Sequence, residues 1–599
     1  MNPYDAGLIG NCQSAALVGR DSTVGFLCLP TFESPTVFGA VLDEGAGHLR
    51  VRAENARPVA QKYLPLTNVL VTTFEGADCA FDVVDWMPRW SDGSGWVHPP
   101  VVHRLLRRTR GEPRIVVEIA PRPDYGRHAP QPVNLGRMLR FEGGGDTFFV
   151  QSNFPMSRLV EGQTMVLGRE AAITFSYGEP VDGWSLETVR DDLRRTTRYW
   201  EGFSRHCYLP LDWQDAIVRS ALTLKLLTFE DTGAVIAAPT TSLPETKGGV
   251  RNWDYRYCWL RDSFFVVQAL AKLSHFEEQD RYVRYLEQLP IRGHRLQPVY
   301  GITGRSALVE ETLHHLRGAF GSRPVRIGNQ AYEHQQNDVY GELVLTLAPI
   351  FFDVRFGDGR ARSTVVHLVE HLADEVMGIW REPDAGIWEY RDQSSHYVFS
   401  KLMCWVALDR AATVARALGE EAKARRWYDE SLVIRQDIEK NGWSEKHQAF
   451  VGAYGGETFD AANLLLGHTG FLKPEDPRFV STLAAIEKHL VVDGLAFRYR
   501  HLDDFGSPEA TFSICTFWYV DALRLAGRRR EARAVLSNML GLANHVGLFS
   551  EGIHATTKEM TGNFPQGYTH VAVINSAMML SRPWGDLGAM PWGIEGESP

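Results

Sequence analysis

The stretch from Arg251 to Asp262 is the part of the sequence best suited to bind a polar ligand. It reads RNWDYRYCWLRD, so three arginines, two aspartates and four tryptophan or tyrosine rings directly precede an apolar helical pattern. Aromatic faces cover the C–H surface of a pyranose ring, and Arg and Asp side chains form charge-assisted hydrogen bonds with its hydroxyls. The composition favours a sugar site, with a buried Arg–Asp network that caps a helix as the alternative.

Two glutamates in other loops could supply acid–base chemistry to such a site. Glu389 lies between aromatic residues in DAGIWEYR, and Glu551 lies in GLFSEG, upstream of GNFPQGYTH and the last helical pattern. Apolar neighbours favour the protonated carboxyl that a general acid needs, so Glu389 is the candidate acid. A loop glutamate alone is commonly a helix cap. Together the two predict the carboxyl pair of an inverting glycosidase, roughly 6.5–9.5 Å apart.

A third polar stretch, GNQAYEHQQND at 328–338, precedes another apolar helical pattern. Its amide, aromatic and acidic groups could line the same cavity, which makes Asp338 a substrate-binding candidate. The alternative is a capped helix start, with Asn337 or Asp338 as the cap.

Other reaction classes lack their signatures in this sequence. It contains no GxGxxG or Walker loop, no HExxH and no GxSxG motif. His314 and His315 are adjacent, and neighbours on a helix face apart, so they do not predict a metal site. We therefore expect neither a metal nor an organic cofactor.

Bulk composition restricts the partners and the compartment. The 599 residues carry a net charge of −10, which gives no basic surface for nucleic acid or anionic lipid. The N-terminus lacks a secretory pattern, and no segment reaches the ~18 apolar residues of a membrane span. The seven cysteines form no CxxC pair and indicate reduced thiols. We expect a cytoplasmic protein with a small neutral substrate; a homo-oligomer stays open.

The elements that must position these residues fall into two blocks. Residues 1–183 contain regularly spaced short β-rich runs, which predict an antiparallel β-sandwich. Residues 184–210 form a charged helical linker, with Ser185 as its cap. From 211 to 599 the apolar spacing becomes helical and shows no fixed-length repeat. This pattern favours a closed barrel of helical hairpins over a solenoid.

At these segments the sequence resembles glycoside hydrolase family 15, the family of glucoamylases, glucodextranases and bacterial trehalases. WDYRYCWLRD, GIWEYR, and GLFSEGI followed by GNFPQGYTH are similar to its signatures and stand in family order. The N-terminal block resembles the trehalase-like domain of bacterial two-domain members. The resemblance implies an (α/α)6-barrel catalytic domain at 211–599, with loops at one end that form a closed pocket for a glucosyl unit.

The resemblance also implies roles by position. Glu389 falls on the family's general acid and Glu551 on its general base. The residues that match the surroundings of the buried glucose and the reacting centre are Tyr255, Trp259, Arg261 and Asp262. The residues that would border the pocket or contact the outer sugar are Trp388, Arg391 and Arg498, with Arg500 as the alternative to Arg498.

The expected activity is that of an inverting, exo-acting α-glucosidase that releases β-D-glucose from the non-reducing end. Trehalose is the favoured substrate, and short α-1,4 or α-1,6 glucans, as glucoamylases and isomaltose-type hydrolases cleave, stay open. Two other classes are an inverting disaccharide phosphorylase, in which phosphate replaces the base, and a non-catalytic sugar-binding protein. The presence of Glu551 argues against the phosphorylase, and the carboxyl pair argues against the binder.

Overall fold

In the computed structural model, which describes residues 1–290, 295–356, 359–582 and 584, a sheet-rich N-terminal domain precedes a helical domain. The predicted multidomain organisation is confirmed. The limit predicted at residue 599 lies outside the described residues.

Two antiparallel sheets that pack face to face form the N-terminal domain. The first has the strand order Ala6–Gly10, Ala15–Gly19, Val24–Cys28, His48–Ala53, Arg114–Ala120 and Met165–Val166, with Thr36–Phe38 paired to Val24–Cys28. The second has the order Val133–Asn134, Met138–Gly143, Asp146–Ser152, Glu170–Tyr177, Val101–Arg110, Ala80–Trp86, Leu70–Glu75 and Arg57–Tyr63. The rings of Phe38 and Phe175 meet between the sheets, with centroids 5.0 Å apart. This is the predicted β-sandwich.

Helix α2 (Leu186–His206) follows the sandwich, after the short α1 (Met156–Val160). The Ser185 hydroxyl accepts a hydrogen bond from the Thr188 backbone N–H at 3.1 Å, so the predicted cap is confirmed. α2 contacts the strand Glu170–Tyr177, in which residues 171–176 are buried throughout. The helix therefore covers the outer side of the sandwich as well as leading to the barrel.

The helical domain is an (α/α)6 barrel, in which each outer helix precedes an inner one. The pairs within the described ranges are α3 (Gln214–Leu226) and α4 (Leu260–Lys272), α5 (Phe276–Gln288) and α6 (Asp338–Leu347), α7 (Gly359–Ile379) and α8 (Val398–Ala417), α9 (Glu421–Asn441) and α10 (Leu465–His468), α11 (Pro477–Leu490) and α12 (Ser513–Leu525), and α13 (Arg529–Leu540) and α14 (Gly567–Leu580). α6 packs between α4 and α8, α14 packs between α12 and α4, and α10 with its preceding turn completes the ring. The predicted closed barrel is confirmed.

Loops that precede the inner helices carry the candidate site residues. Residues 245–259 lead into α4, 384–391 lie before α8, 498–505 before α12, and 549–566 before α14. The inner helices run in the same direction around the ring, so these loops meet at one end of the barrel. A three-stranded sheet, Ala510–Phe512, Gly552–His554 and Met560–Thr561, joins the loops before α12 and α14.

The N-terminal domain is attached beside this end of the barrel through Arg256. Its guanidinium is fully buried and pairs with the Asp254 carboxylate at 2.6 Å. It also donates to the Ser34 carbonyl and the Tyr125 hydroxyl of the sandwich, both at 2.8 Å. Removal of one partner from such a buried pair leaves an uncompensated charge, so the segment around Arg256 is firmly held.

Three further observations concern partners and chemistry. Across the described ranges, no helix is both long and apolar enough to cross a lipid bilayer. The seven cysteines are all free thiols. Among the same residues, no group of three or more His, Cys, Asp or Glu side chains could hold a metal ion.

Candidate active site

The loops before the inner helices line a cavity whose empty space, including the part open to solvent, is about 860 Å³. The sequence-predicted residues that line it are Tyr255, Trp259, Arg261, Asp262, Trp388, Glu389, Arg391 and Arg498. Among its other lining residues are Glu245, Trp253, His334, Tyr499, Phe505, Phe512, Gln566 and Tyr568. Aromatic rings and charged groups thus converge from five separate loops.

Glu389 lies in this cavity with its carboxylate bonded to two donors. Its Oε1 accepts a hydrogen bond from the Trp259 indole at 2.7 Å and another from the Arg261 guanidinium at 3.2 Å. The side chain is 23% exposed, so a ligand in the cavity can reach it. The expectation of apolar surroundings for Glu389 is therefore wrong on one side of the carboxylate, because a guanidinium and an indole N–H face it there.

The loop that carries Glu389 is bent by two residues with left-handed backbone. Gly386 has φ +65°, and a Cβ there would lie 2.8 Å from the Tyr397 ring, so only glycine fits. Glu389 itself has φ +62°, and its N–H donates to the Gly386 carbonyl at 3.1 Å. A non-glycine residue in this region carries strain of roughly 1–3 kcal/mol and is found mainly at functional sites.

Glu551 is buried, and both of its carboxylate oxygens are bonded. Oε1 accepts a hydrogen bond from the Tyr255 hydroxyl at 2.5 Å, and Oε2 accepts one from the Asn563 backbone N–H at 3.1 Å. Burial, followed by the charge of Glu245, raises the pKa of Glu551, while the Tyr255 hydrogen bond and the charge of Arg498 oppose this rise. Glu551 adjoins the cavity through Tyr255, which lines it.

An aromatic pair links the two glutamates. The rings of Tyr255 and Trp259 have centroids 5.4 Å apart, with their planes inclined by 56°. Tyr255 donates to Glu551, and Trp259 donates to Glu389. The two carboxylates, 162 positions apart in sequence by their numbers 389 and 551, are therefore held by one aromatic wall.

Arg261 is the centre of a buried acidic cluster. Its guanidinium donates to Gln336 at 2.9 Å and to Asp338 at 3.4 Å. Asp262 lines the cavity, and burial raises its pKa to about 6 despite the charge of Arg261. Asp338 does not line the cavity: it is fully buried as the first residue of α6 and lies behind Arg261. The expected substrate contact of Asp338 is therefore wrong, because Arg261 lies between it and the cavity.

Arg498 lines the cavity, whereas its alternative Arg500 is exposed. Glu245 holds Arg498 through two parallel hydrogen bonds, each 3.0 Å long. Both side chains are more than nine-tenths buried. This bidentate geometry fixes the guanidinium plane and also places the Glu245 carboxylate close enough to Glu551 to influence its pKa.

Two ion pairs include residues that line the cavity. Arg391 pairs with Glu310 at 2.8 Å, and Arg251 pairs with Asp503. Between them, the rings of Trp253 and Phe505 are in edge contact, with centroids 5.3 Å apart. This part of the cavity wall thus combines aromatic surface with fixed charges.

Sequence reasoning missed several of these residues. Glu245 lies only six residues before Arg251 in TTSLPETKGGVR, so proximity to the Arg/Trp-rich stretch was a usable signal. Asp460, which accepts a hydrogen bond from the Trp388 indole at 2.8 Å, had no such signal because it is remote in sequence from the quoted motifs.

Comparison with known proteins gives a consistent result for both domains. The family model for glycosyl hydrolases family 15 matches residues 212–578, and the model for the trehalase-like N-terminal region matches residues 5–156. Together they span most of the chain.

Curated relatives match over nearly the full length. A trehalase from Mycolicibacterium smegmatis is 34% identical, over 97% of this chain and 92% of its own length. A trehalase from Thermoplasma volcanium is also 34% identical, over 96% of this chain and 93% of its own length. The crystal structure of a bacterial glucoamylase complexed with acarbose matches with a TM-score of 0.71 and 13% identity, covering 96% of this chain and 94% of that one, and supports the fold.

Replacement of Gly562 by alanine should displace the Glu551 carboxylate. Gly562 has φ +75°, and a Cβ there would lie 2.9 Å from the carboxyl carbon of Glu551. Overpacking of this kind costs about 1–3 kcal/mol, in addition to roughly 1–2 kcal/mol for left-handed backbone. We expect reduced stability in denaturant unfolding, and a moved Glu551 side chain in a crystal structure of the variant.

Gly248→Ala is the matched control. Gly248 also has left-handed backbone, with φ +80°, but a Cβ there would meet nothing within 4 Å. The Gly248→Ala variant therefore measures the loss of stability from the backbone strain without a clash. Equal losses of stability in the two variants would contradict a tight contact between Gly562 and Glu551.

Proposed function

The chain belongs to glycosyl hydrolase family 15, and from this we propose that it hydrolyses α,α-trehalose to two molecules of glucose. It is a glycosidase, and the further step to trehalose rests on its relatives. The observation that carries this step is the similarity to trehalases at 34% identity across both domains, not the barrel alone.

In the proposed mechanism, the two held carboxyls act as acid and base. Glu389 gives its proton to the glycosidic oxygen as the bond from that oxygen to the anomeric carbon breaks. Glu551 takes a proton from a water that attacks the same carbon from the opposite face of the sugar. The attacked glucose leaves with inverted, β configuration, and the other glucose leaves as the α anomer. The aromatic wall that holds both carboxyls supports these roles.

The cationic and acidic side chains beside the carboxyls suit the binding of a glucosyl unit. Arg261 and Asp262 offer a donor and an acceptor side by side within the cavity, and Arg498 offers a second donor held by Glu245. Hydrogen bonds between charged groups and hydroxyls are stronger than neutral ones. Trp259 and Tyr255 supply apolar faces for the sugar ring.

The part of the cavity wall formed by Trp253 and Phe505 suits a small substrate. The Arg391–Glu310 and Arg251–Asp503 pairs flank this aromatic contact, so a second sugar placed there would meet ring surface and fixed charge at once. A compact disaccharide such as trehalose suits these surroundings. The substrate is neutral, and we propose no nucleic-acid or membrane partner and no cofactor.

We also propose that the protein acts in the cytoplasm. Seven free cysteines, six of them buried, are typical of a reducing compartment. Cell fractionation with an antibody to the chain would test this, and recovery in a secreted fraction would contradict it.

A substrate panel tests the proposed activity. Purified protein is incubated with trehalose, maltose, isomaltose and dextrin, and glucose release is followed with anomers resolved by NMR. We expect kcat/KM for trehalose to exceed that for each other substrate by at least about tenfold, a difference of ~1.4 kcal/mol. Equal initial amounts of α- and β-glucose should appear before mutarotation.

Each alternative has its own outcome in this panel. Preference for maltose or isomaltose would indicate a glucoamylase-type hydrolase. Turnover that requires phosphate and yields glucose 1-phosphate would indicate a phosphorylase. Binding without turnover of any substrate would indicate a sugar-binding protein.

Replacement of either carboxyl by its amide should nearly abolish turnover. In Glu389→Gln no proton is available for the leaving oxygen, and in Glu551→Gln none can be taken from water. Each variant should lower kcat by about 10²–10⁴-fold, because general acid or base catalysis contributes that much. Trehalose binding, measured by calorimetry, should largely remain.

Glu333→Gln serves as the control for these two variants. Glu333 is an exposed glutamate in the loop before α6 and does not line the cavity. Its replacement should leave kcat unchanged. Wild-type turnover in Glu389→Gln or Glu551→Gln would refute the assigned role.

The pH dependence of kcat/KM should depend on Glu245. Burial and the Glu245 charge raise the pKa of Glu551 above its ordinary value of 4.5. The base must be ionised, so activity should rise as pH increases through this raised pKa. In Glu245→Gln the neighbouring negative charge is lost, the pKa of Glu551 falls, and the acidic limb should move to lower pH.

Glu559→Gln is the matched control for the pH profile. Glu559 is an exposed glutamate that pairs with Lys247 at the surface. Its replacement should leave the acidic limb in place. An acidic limb that is unmoved in Glu245→Gln, or that moves to higher pH, would contradict the electrostatic coupling.

A further inference from the structure

We propose that Tyr4, a residue of the N-terminal sandwich domain, is a positioning residue for Glu551. The inference rests on the proposed role of Glu551 as general base. It assigns the N-terminal domain a part in positioning the base, because one of its side chains orients the backbone group that holds Glu551.

The geometry concerns one peptide group, between Gly562 and Asn563. Its carbonyl oxygen, on Gly562, accepts a hydrogen bond from the Tyr4 hydroxyl at 3.0 Å. Its N–H, on Asn563, donates to Glu551 Oε2 at 3.1 Å. A peptide group is planar and rigid, so Tyr4 and Glu551 are bonded to opposite sides of one flat unit. Tyr4 therefore fixes the direction in which the Asn563 N–H points.

Gly562 is also held on its N-terminal side. Its own N–H, which belongs to the preceding peptide group, donates to the Pro244 carbonyl at 2.8 Å, in the residue before Glu245. Gly562 also packs directly against the Glu551 carboxyl. A rotation of the peptide would break the bond to Glu551 or press Gly562 onto it.

Tyr4 is itself held firmly by residues of the helical domain. It lies in the single helical turn Pro3–Asp5, is 8% exposed, and is 558 residues from Gly562 in sequence. Its carbonyl accepts a hydrogen bond from the Asn544 side chain at 3.0 Å. Its ring makes an edge contact with Phe564, with centroids 5.8 Å apart. The Tyr4 hydroxyl is therefore held in a fixed position when it donates to the Gly562 carbonyl.

The bond from Tyr4 also strengthens the donor that faces Glu551. A donor on a peptide carbonyl polarises the whole amide, so its N–H becomes a better donor in turn. Burial and the charge of Glu551 raise the pKa of Tyr4, which keeps the hydroxyl protonated. The hydrogen bond from Asn563 lowers the pKa of Glu551, so Tyr4 favours the ionised base. The other ionisable groups that face Glu551 are Tyr255, Glu245 and Arg498.

Tyr4→Phe in the full-length protein tests this inference. The variant keeps the ring and loses the hydroxyl. We expect kcat for trehalose to fall about tenfold, or ~1.4 kcal/mol, with KM changed by less than about twofold. The acidic limb of kcat/KM should move to higher pH, because the weakened Asn563 donor leaves Glu551 with a higher pKa. Loss of stability alone would not move this limb.

Tyr177→Phe is the matched control. The Tyr177 hydroxyl donates to Asp146 at 2.8 Å within the N-terminal domain. Its removal costs one hydrogen bond in the same domain, and the acidic limb should stay in place. A kcat and an acidic limb in Tyr4→Phe that match those of Tyr177→Phe would overturn the proposal.

A second replacement at Tyr4 increases the donor strength of the phenol, the opposite of the effect of Tyr4→Phe. Tyr4→3-fluorotyrosine, introduced at a recoded codon, has a more acidic phenol and donates more strongly. The acidic limb should then move to lower pH, a result that damage to the fold would not produce. A shift to higher pH, or none, would overturn the proposal even if Tyr4→Phe folds poorly.

Glu551→Gln, measured in parallel, separates this inference from the function on which it rests. If Glu551→Gln retains turnover, the base assignment fails and the role of Tyr4 fails with it. If Glu551→Gln is inactive while both Tyr4 variants behave as wild type, the role of Tyr4 alone fails.

Discussion

A carboxyl group that is withdrawn from bulk water needs hydrogen-bond partners for its oxygens. Glu551 has a phenol hydroxyl and a backbone N–H as partners, and Glu389 has an indole and a guanidinium. These donors come from loops that are distant in sequence. The barrel satisfies the constraint because it brings the loops before its inner helices to one end.

The same constraint explains why the two domains are joined so closely. Arg256 lies beside Tyr255, the donor to Glu551, and bonds to Ser34 and Tyr125 of the sandwich. Tyr4 reaches the loop on the other side of Glu551. The sandwich therefore supports the site from two directions, and the family match over both domains agrees with one functional unit.

Local sequence patterns predicted the fold well because each element carries its own signal. The switch from short β-rich runs to helical periodicity located the change from sandwich to barrel, and Ser185 marked the start of α2. The cavity residues from Tyr255 to Asp262 were found because aromatic and charged side chains are dense there. Glu389 joined the same cavity as expected, although the donors around it did not follow from its apolar neighbours in sequence.

Partners set by tertiary structure could not be predicted in this way. Asp338 looked like a cavity residue because its neighbours are polar, but the start of α6 places it behind Arg261. The contact between Tyr4 and Gly562 spans 558 residues, and nothing in MNPYDAG distinguishes that tyrosine from an ordinary one. Sequence spacing carries information about neighbours on one element, whereas these contacts depend on how separate elements meet.

The left-handed backbone at Glu389 has a consequence for protein engineering. At such a position glycine relieves backbone strain, so a screen for heat resistance alone would favour replacement of the proposed general acid. If Glu389 is the general acid, as proposed, stability and turnover are opposed at this position. Directed evolution for higher thermal stability should keep residue 389 unchanged and select stabilising substitutions elsewhere in the barrel.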